Sequence, residues 1–319
     1  MPDDTARGRV AILSARPGWH TDELRRALAE RGRDGRVVAY ESLTARLGSG
    51  RGMARGLAAD GEELLAAEAV LARIIPNGSL EQIIYRVDAL HWLEDRGVTV
   101  VNSPRAIERC VDKFYTSALL QEAGLPTPET VVCERPDEAT AAFRAMGDVI
   151  VKPLFGSMGL GMVRVADAET AFRVFRALEA IRAVYYLQRT IEHGGRDVRA
   201  FVVGGRVLGA IERSAPGWRT NVSRGGAARP VELSAEWIGL ALRAARAVGA
   251  DYAGVDLVPA LDGTVHVIEV NAIPGWRGLQ EATGLDVAGA IVDHLLLSCV
   301  GVPAPGPASA AASAHAGAR

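Results

Sequence analysis

Lysine is nearly missing from this chain. Of its 36 basic residues, every one is arginine except Lys113 and Lys152. Chance or codon usage is the plain explanation. The chemical one is that these are the places where a compact ammonium on a flexible stem is needed and a planar guanidinium will not fit. Cysteine is scarce as well. Cys110, Cys133 and Cys299 are odd in number and lack metal or redox spacing, which argues against a disulfide scaffold and fits a cytoplasmic protein. No apolar run is long enough to cross a bilayer, and Met1 to Arg9 is polar, without the apolar stretch of a signal peptide. No membrane partner is therefore expected. The formal net charge of -2 offers no electrostatic footprint for nucleic acid. What remains is a 319-residue chain, long enough for two or three domains around real cores.

The most informative stretch is Tyr252 to Gly275. Two apolar runs, Gly254 to Val258 and Val265 to Asn271, flank Leu261-Asp262-Gly263-Thr264. Asp-Gly between β-rich runs signals a hairpin. A two-residue turn at Asp262-Gly263 pairs Leu261 with Thr264, Val258 with Val267 and Asp256 with Glu269. Side-chain alternation then puts Asn271 on the face of Glu269. Two carboxylates and an amide oxygen gather there. Opposed like charges destabilise a sheet, a penalty that a hard divalent cation reverses, and an oxygen-only donor set suits Mg²⁺ or Mn²⁺.

Taken in order, strands are expected at Arg9 to Leu13, Arg36 to Tyr40, Ala69 to Ile75 and Val98 to Val101. Helices between them run from an N-cap at Thr21 to Arg31, and from a cap at Ser79 to about Arg96, with Leu80, Ile83, Ile84, Val87 and Leu90 at helical spacing. Leu43 to Gly61 reads as a loop or weak helix. Alternation of strand and helix predicts a parallel sheet, and a first domain ending near Asn102. One helix is expected from Ser103-Pro104 through Lys113 to about Gly124. A strand follows at Glu129 to Cys133, a helix at Asp137 to Met146, and a strand at Asp148 to Lys152 that ends in a glycine loop. After a return strand at Met162 to Val165 come a helix at Asp167 to Ile181 and a strand at Ala183 to Ile191. A hairpin over Gly204-Gly205 places Arg199 opposite Ala210 and Asp197 opposite Glu212. Ala215 to Arg229 reads as a long polar loop. Helices run from Ser234 to Val248 and from Asp286 to Cys299. Residues 301–319, mostly Ala, Pro, Ser and Gly, cannot bury a core and are expected to be disordered.

Three places invite chemistry besides the acidic hairpin. Gly156-Ser157-Met158-Gly159-Leu160-Gly161 lets backbone N–H groups approach phosphate, with Lys152 at the end of the preceding strand. A strand follows the loop where a dinucleotide fingerprint requires a helix, and no Walker A sequence is present. The stretch Arg213 to Gly226 is rich in Arg and Asn, suited to anionic groups, with an ordinary solvated loop as the alternative. His193, His266 and His294 show no nucleophile or metal-ligand pattern and read as structural.

Together these pieces resemble the ATP-grasp superfamily, and within it the RimK-like amino-acid ligases, over roughly Val100 to Leu297. The resemblance rests on Asn102-Ser103-Pro104-Arg105-Ala106-Ile107 with Asp112-Lys113, on Val151-Lys152-Pro153 with its glycine loop, and on Arg196-Asp197-Val198-Arg199. It continues through Asn221-Val222-Ser223-Arg224-Gly225-Gly226, Gly254-Val255-Asp256 and Glu269-Val270-Asn271. Each piece is weak alone; their order and spacing are specific.

The resemblance implies an α/β ATP-grasp fold: an N-terminal parallel-sheet domain (1–102), two α+β domains (103–183 and 184–300) clamping ATP, and a tail (301–319). It implies that Lys113, Lys152 and the loop Gly156, Ser157, Met158, Gly159 and Gly161 hold nucleotide. Gln188, Arg189, Thr190 and Ile191 would hold adenine through backbone groups, with Asp197 and Asn221 contacting the nucleotide. Arg199, Arg213 and Arg224 become phosphate or acyl-phosphate contacts, and Asp256, Glu269 and Asn271 the Mg²⁺ (or Mn²⁺) ligands. The implied activity is ATP-dependent carboxylate–amine ligation through an acyl phosphate, with an amino acid, L-glutamate, and a small-molecule carboxylate acceptor as partners. A non-catalytic nucleotide-binding regulator on the same fold is the alternative. A homo-oligomer is expected. Ile273-Pro274-Gly275-Trp276-Arg277 differs from members that modify a ribosomal protein tail and resembles those acting on coenzymes such as tetrahydromethanopterin-type carriers. Trp276 and Arg277 are accordingly expected to face the acceptor, Trp276 by stacking and Arg277 by pairing with a carboxylate, with a plain core tryptophan and a surface arginine as the alternative.

Overall fold

The computed structural model describes residues 8–48, 56–156, 159–215, 217 and 227–300. The tail from residue 301, expected to be disordered, lies outside them. The chain opens with β1 (Arg9–Ser14), α1 (Trp19–Glu30) and β2 (Asp34–Ala39). Gly18, not Thr21, is the N-cap of α1. Thr21 lies inside the first turn and its hydroxyl reaches back, accepting from the Gly18 N–H at 2.8 Å. Strands β3 (Thr44–Arg46), β4 (Gly56–Ala59) and β5 (Glu62–Glu63) then form a small antiparallel sheet where a loop or weak helix was expected. The Gly-Leu-Ala-Ala run of β4 carries little strand propensity, yet all four residues are buried. Packing decides that strand.

After β6 (Ala69–Ala72), α2 (Leu80–Asp95) and β7 (Thr99–Val101), the main N-terminal sheet is complete. Its order is β2-β1-β6-β7, parallel throughout, as the alternation predicts. Ser79 caps α2, in a capping box with Gln82. The buried face of α2 differs from the expected one. Leu80 and Ile84 face solvent, while Arg86, Ala89, Leu90 and Leu93 are inside. Arg86 gains entry by donating to the Pro76 carbonyl at 2.7 Å.

The single helix expected after Ser103 is two, α3 (Pro104–Val111) and α4 (Lys113–Glu122). Asp112 breaks them: it ends α3 and caps α4, its carboxylate accepting from the Tyr115 N–H at 3.1 Å. Lys113 thereby becomes the first residue of a helix. Strand β8 (Thr130–Cys133), α5 (Pro136–Met146), β9 (Val149–Lys152), β10 (Val163–Val165), α6 (Ala168–Ala180) and β11 (Tyr185–Arg189) follow. They make an antiparallel sheet of order β10-β9-β11-β8, whose core holds Phe143, Phe175 and Tyr185.

The last sheet is built from β12 (Arg196–Val203), β13 (Arg206–Ser214), β14 (Ala227–Pro230), β15 (Tyr252–Pro259) and β16 (Val265–Asn271), in the order β14-β13-β12-β15-β16. Strand β14 falls at the end of the expected polar loop and pairs with β13. Helix α7 (Ala235–Val248) covers one face. On the other, α8 (Arg277–Thr283), which the sequence reading did not expect, and α9 (Val287–Val300) share a core with the N-terminal sheet. Asn102 fastens the join. Its fully buried amide donates to the Tyr252 and Ala272 carbonyls at 2.8 and 2.5 Å and accepts from the Asp251 and Tyr252 N–H groups.

Both hairpins depart from the expected registers. In the first, Asp197 opposes Arg213 and Arg199 opposes Ile211, because an irregularity at Phe201/Val202 shifts the pairing by one residue. In the second, the loop is one residue longer than a two-residue turn. Ala260 N–H donates to the Thr264 carbonyl, Gly263 takes φ +90°, and Val258 opposes His266. Ile268 is then an extra residue on β16, and this bulge restores Asp256 opposite Glu269.

Candidate functional site

A cleft of about 130 Å³ lies where β9 and β11 face the last sheet. Both lysines line it. Lys152 ends β9 and is 7 % exposed. Its Nζ donates to Gln188 Oε1 at 2.5 Å and stands 5.8 Å from the centre of the Tyr186 ring. Burial pulls its pKa from 10.5 down to about 8; Glu269 opposes that shift and Lys113 adds to it. Lys113 donates to the Gly156 carbonyl at 2.7 Å, and burial lowers its pKa too, against Glu269 and Asp112. A buried and a half-buried ammonium thus share the field of Glu269. Among the described residues the Glu269 side chain makes no hydrogen bond or ion pair.

The rest of the charge is arranged differently. Arg199 holds Asp256 through two bonds, Nε to Oδ1 at 2.6 Å and Nη2 to Oδ2 at 2.7 Å. Arg213 holds Asp197 the same way, at 2.6 and 2.6 Å, and reaches Asp256 Oδ2 at 3.0 Å. Burial would push Asp256 up, but the two guanidinium groups outweigh it and hold its carboxyl below the usual range. Burial would likewise lower Arg213; Asp256 and Asp197 outweigh it and raise it. Asp197, Arg213 and Asp256 line the cleft, whereas Arg199 and Asn271 do not.

For a divalent cation, the donors available are all oxygens. Asp256 and Glu269 are opposite each other, and Asn271 shares the Glu269 face of β16 two residues on. The Asn271 Oδ1 accepts from the Ile273 N–H at 2.8 Å and keeps a second lone pair. Among the described residues no three His, Cys, Asp or Glu side chains converge, so the set reaches three donors only with the Asn271 amide. In kind the set fits a hard ion. Asp256 must loosen its arginines to join it.

Gln188, Arg189, Thr190 and Ile191 all line the cleft. Arg189 turns its guanidinium away, to Glu129 and to the Met146 carbonyl. Gly159 lines the cleft as well, and Gly156, Gly159 and Gly161 have positive φ. A Cβ at Gly161 would sit 2.7 Å from Pro153 Cγ, so that turn admits only glycine. Ser157, Met158, Asn221 and Arg224 lie outside the described residues. The sequence reading overlooked Tyr186, Cys110 and His193, which also line the cleft. Tyr186 carried a signal: it and Gln188 alternate onto one face of an otherwise apolar strand. Cys110 is pushed up to about 12 by burial and is no thiolate.

Trp276 does not face a ligand. It is 1 % exposed, packed against Trp19, His20 and Phe201, with the Arg73 guanidinium 4.7 Å from its ring centre. The Pro-Gly approach and short α8 turn it into the core. Arg277 is exposed, pairs with Glu281 at 2.8 Å and lies over Trp19.

Residues 110–295 match the RimK-like ATP-grasp domain, and residues 9–107 the RimK pre-ATP-grasp domain. The chain belongs to the RimK-like ATP-grasp family. A tetrahydromethanopterin:alpha-L-glutamate ligase of Methanosarcina acetivorans is 37 % identical over 265 residues, 74 % of this chain and 82 % of that one. A probable alpha-L-glutamate ligase of Teredinibacter turnerae is 36 % identical, covering 90 % of this chain and 95 % of its own. Among solved structures, the ATP-grasp ligase PsnB with minimal precursor, Mg and ADP superposes with a TM-score of 0.70 at 25 % identity, over 91 % of this chain and 98 % of PsnB. The RimK domain protein of Sphaerobacter thermophilus gives 0.69 at 25 % identity, over 90 % and 99 %. This RimK-like ATP-grasp chain is an ATP-dependent ligase that forms C–N bonds. Among its described residues no single helix is long and apolar enough to cross a membrane.

Proposed function

We propose that the chain joins L-glutamate to a small-molecule carboxylate acceptor through an acyl phosphate. The observation that carries this is the cleft: the chain's two lysines line it, Lys152 buried and Lys113 half-buried, beside Glu269, whose carboxylate has no hydrogen-bonded partner among the described residues. Phosphate oxygens supply the charge these lysines lack. In this reading residues 103–183 and 184–300 are the two domains that clamp ATP, residues 1–102 precede them, and 301–319 are a tail. Lys113, Lys152 and the loop Gly156 to Gly161 hold phosphates, the backbone of Gln188 to Ile191 holds adenine, and Asp197 and Asn221 contact the nucleotide. Asp256, Glu269 and Asn271 hold Mg²⁺ or Mn²⁺, which when bound neutralises phosphate charge.

An acceptor carboxylate oxygen attacks the γ-phosphorus and the bond to the ADP oxygen breaks. The glutamate amine then attacks the acyl carbon, phosphate leaves, and the amine proton passes to solvent. Arg199, Arg213 and Arg224 stabilise the oxyanion that develops. Three of the relatives are named tetrahydromethanopterin:alpha-L-glutamate ligases, which makes a carboxylated coenzyme of that type the first acceptor to try.

The test is ADP release from purified protein with ATP, Mg²⁺, glutamate and a panel of carboxylated acceptors. The expected result is release that needs both co-substrates, a product heavier than the acceptor by glutamate less water, and transfer of ¹⁸O from the acceptor carboxylate to phosphate. ATP binding without ADP release on any acceptor supports the regulator instead.

A further inference from the structure

The cleft holds a hydrogen-bond chain whose direction is determined from its ends. The Thr130 hydroxyl donates to the Pro128 carbonyl at 2.9 Å, and a carbonyl can only accept. Thr130 Oγ1 is therefore an acceptor toward Gln188 Nε2, 3.1 Å away. The same amide nitrogen donates to the Tyr186 oxygen at 3.2 Å, which sends the Tyr186 proton to Ser117 Oγ at 2.8 Å. With both amide protons engaged on hydroxyls, Gln188 must turn its Oε1 to Lys152, the 2.5 Å contact. Gln188 and Tyr186 are buried, and Tyr186 sits directly across the strand pair from Lys152.

We infer that Gln188 is a positioning residue for Lys152, and that Tyr186 and Ser117 extend its hold to Lys113. The inference rests on the reading of both lysines as phosphate contacts. Gln188 binds one ammonium proton and leaves two for a ligand. A neutral acceptor does this without cancelling the charge, as a carboxylate would. Ser117 is four residues after Lys113 on α4, so the two share a helix face. The Tyr186–Ser117 bond thus sets that face against the strand that carries Gln188. The backbone of this segment was already expected to meet adenine; the side chain has a separate task.

The scarcity of lysine makes the test direct. Selective ¹⁵N-lysine labelling gives two side-chain signals, assigned with Lys113→Arg. In the unmodified chain the Lys152 signal titrates near 8 and both signals move on adding ATP. Gln188→Glu places a carboxylate on the ammonium and is expected to raise the Lys152 midpoint by about one unit or more. Gln188→Leu lowers it and weakens ATP binding about tenfold, the loss of one hydrogen bond to a charged group. Tyr186→Phe, which keeps the ring, shifts the Lys113 and Lys152 signals in the direction of Gln188→Leu and serves if that variant does not fold. Midpoints unchanged in the Gln188 variants and in Tyr186→Phe overturn the inference. Signals that titrate as expected but ignore ATP sink the phosphate reading and leave the relay standing as a fact of the lysine alone.

Discussion

Asp256 and Glu269 face each other across β15 and β16, but among the described residues only Asp256 is tied to arginine. The two carboxylates should therefore answer differently to the same neutralising change. Glu269→Gln removes a like charge from the pair and breaks no ion pair, so the fold should keep its Tm while ligation is lost. Asp256→Asn leaves Arg199 without its carboxylate and Arg213 with Asp197 alone, a loss of about 3–5 kcal/mol. Denaturant melts of both variants beside ADP-release assays check this. Full activity of a folded Glu269→Gln protein in Mg²⁺ would remove the metal assignment.

Lys152→Arg keeps the charge but exchanges a point ammonium for a planar fork in a buried seat, and should weaken ATP binding markedly. Equal affinity in both proteins would reduce the scarcity of lysine to codon usage.

The pH dependence follows from the same residue. The folded pKa of Lys152 lies near 8, below the 10.5 of the free side chain. The folded chain therefore binds fewer protons than the unfolded chain between these values. This group's contribution to stability grows as pH rises from about 8 to 10.5 and is lost again as pH falls through 8. Under the proposal that Lys152 holds a phosphate, ATP needs the charged form, so its affinity should fall above about pH 8, the opposite direction. Calorimetry across that window, on the parent chain and Lys152→Arg, should show the affinity loss only in the former.

How far the sequence carried can be judged from these residues. The strand–helix alternation was enough for the parallel sheet, and the Asp-Gly turn was enough to place Asp256 opposite Glu269. The second success came from two errors that cancel, a longer loop and a bulge at Ile268. Neither leaves a mark in residue type, because both are settled by the packing of the whole sheet. Arg86 hid the buried face of α2, since periodicity counts an arginine as outward while a single carbonyl can bring it in. The arginine clamp on Asp256 was illegible for the same reason as the first hairpin: a one-residue shift decides whether Asp197 meets Glu212 or Arg213.

Trp276 offers the sharpest contrast with its neighbour. It is sealed between the N-terminal sheet and the last one, in edge-to-face contact with His20, whose Nε2 accepts from the Trp276 backbone N–H at 3.2 Å. Trp276→Ala should cost about 3–5 kcal/mol through the cavity it leaves, with acceptor KM unchanged in whatever protein folds. Arg277→Ala removes an exposed side chain that pairs with Glu281 and lies over Trp19, and should leave Tm within error. His20 adds an acid limb. Burial first, then Arg73 and Arg277, push its pKa from 6.5 down to about 4, so it stays neutral in the fold. The contribution of that neutral ring is present above pH 6.5 and is lost as pH falls toward 4, where the unfolded chain has already taken up its proton. Replacing His20 with glutamine, which still accepts from the Trp276 N–H, should flatten the fall in Tm over that range. Trp19 and Trp276 flank His20, so tryptophan emission reports the joint directly. An acid limb that survives His20→Gln unchanged would place the sensitive group elsewhere.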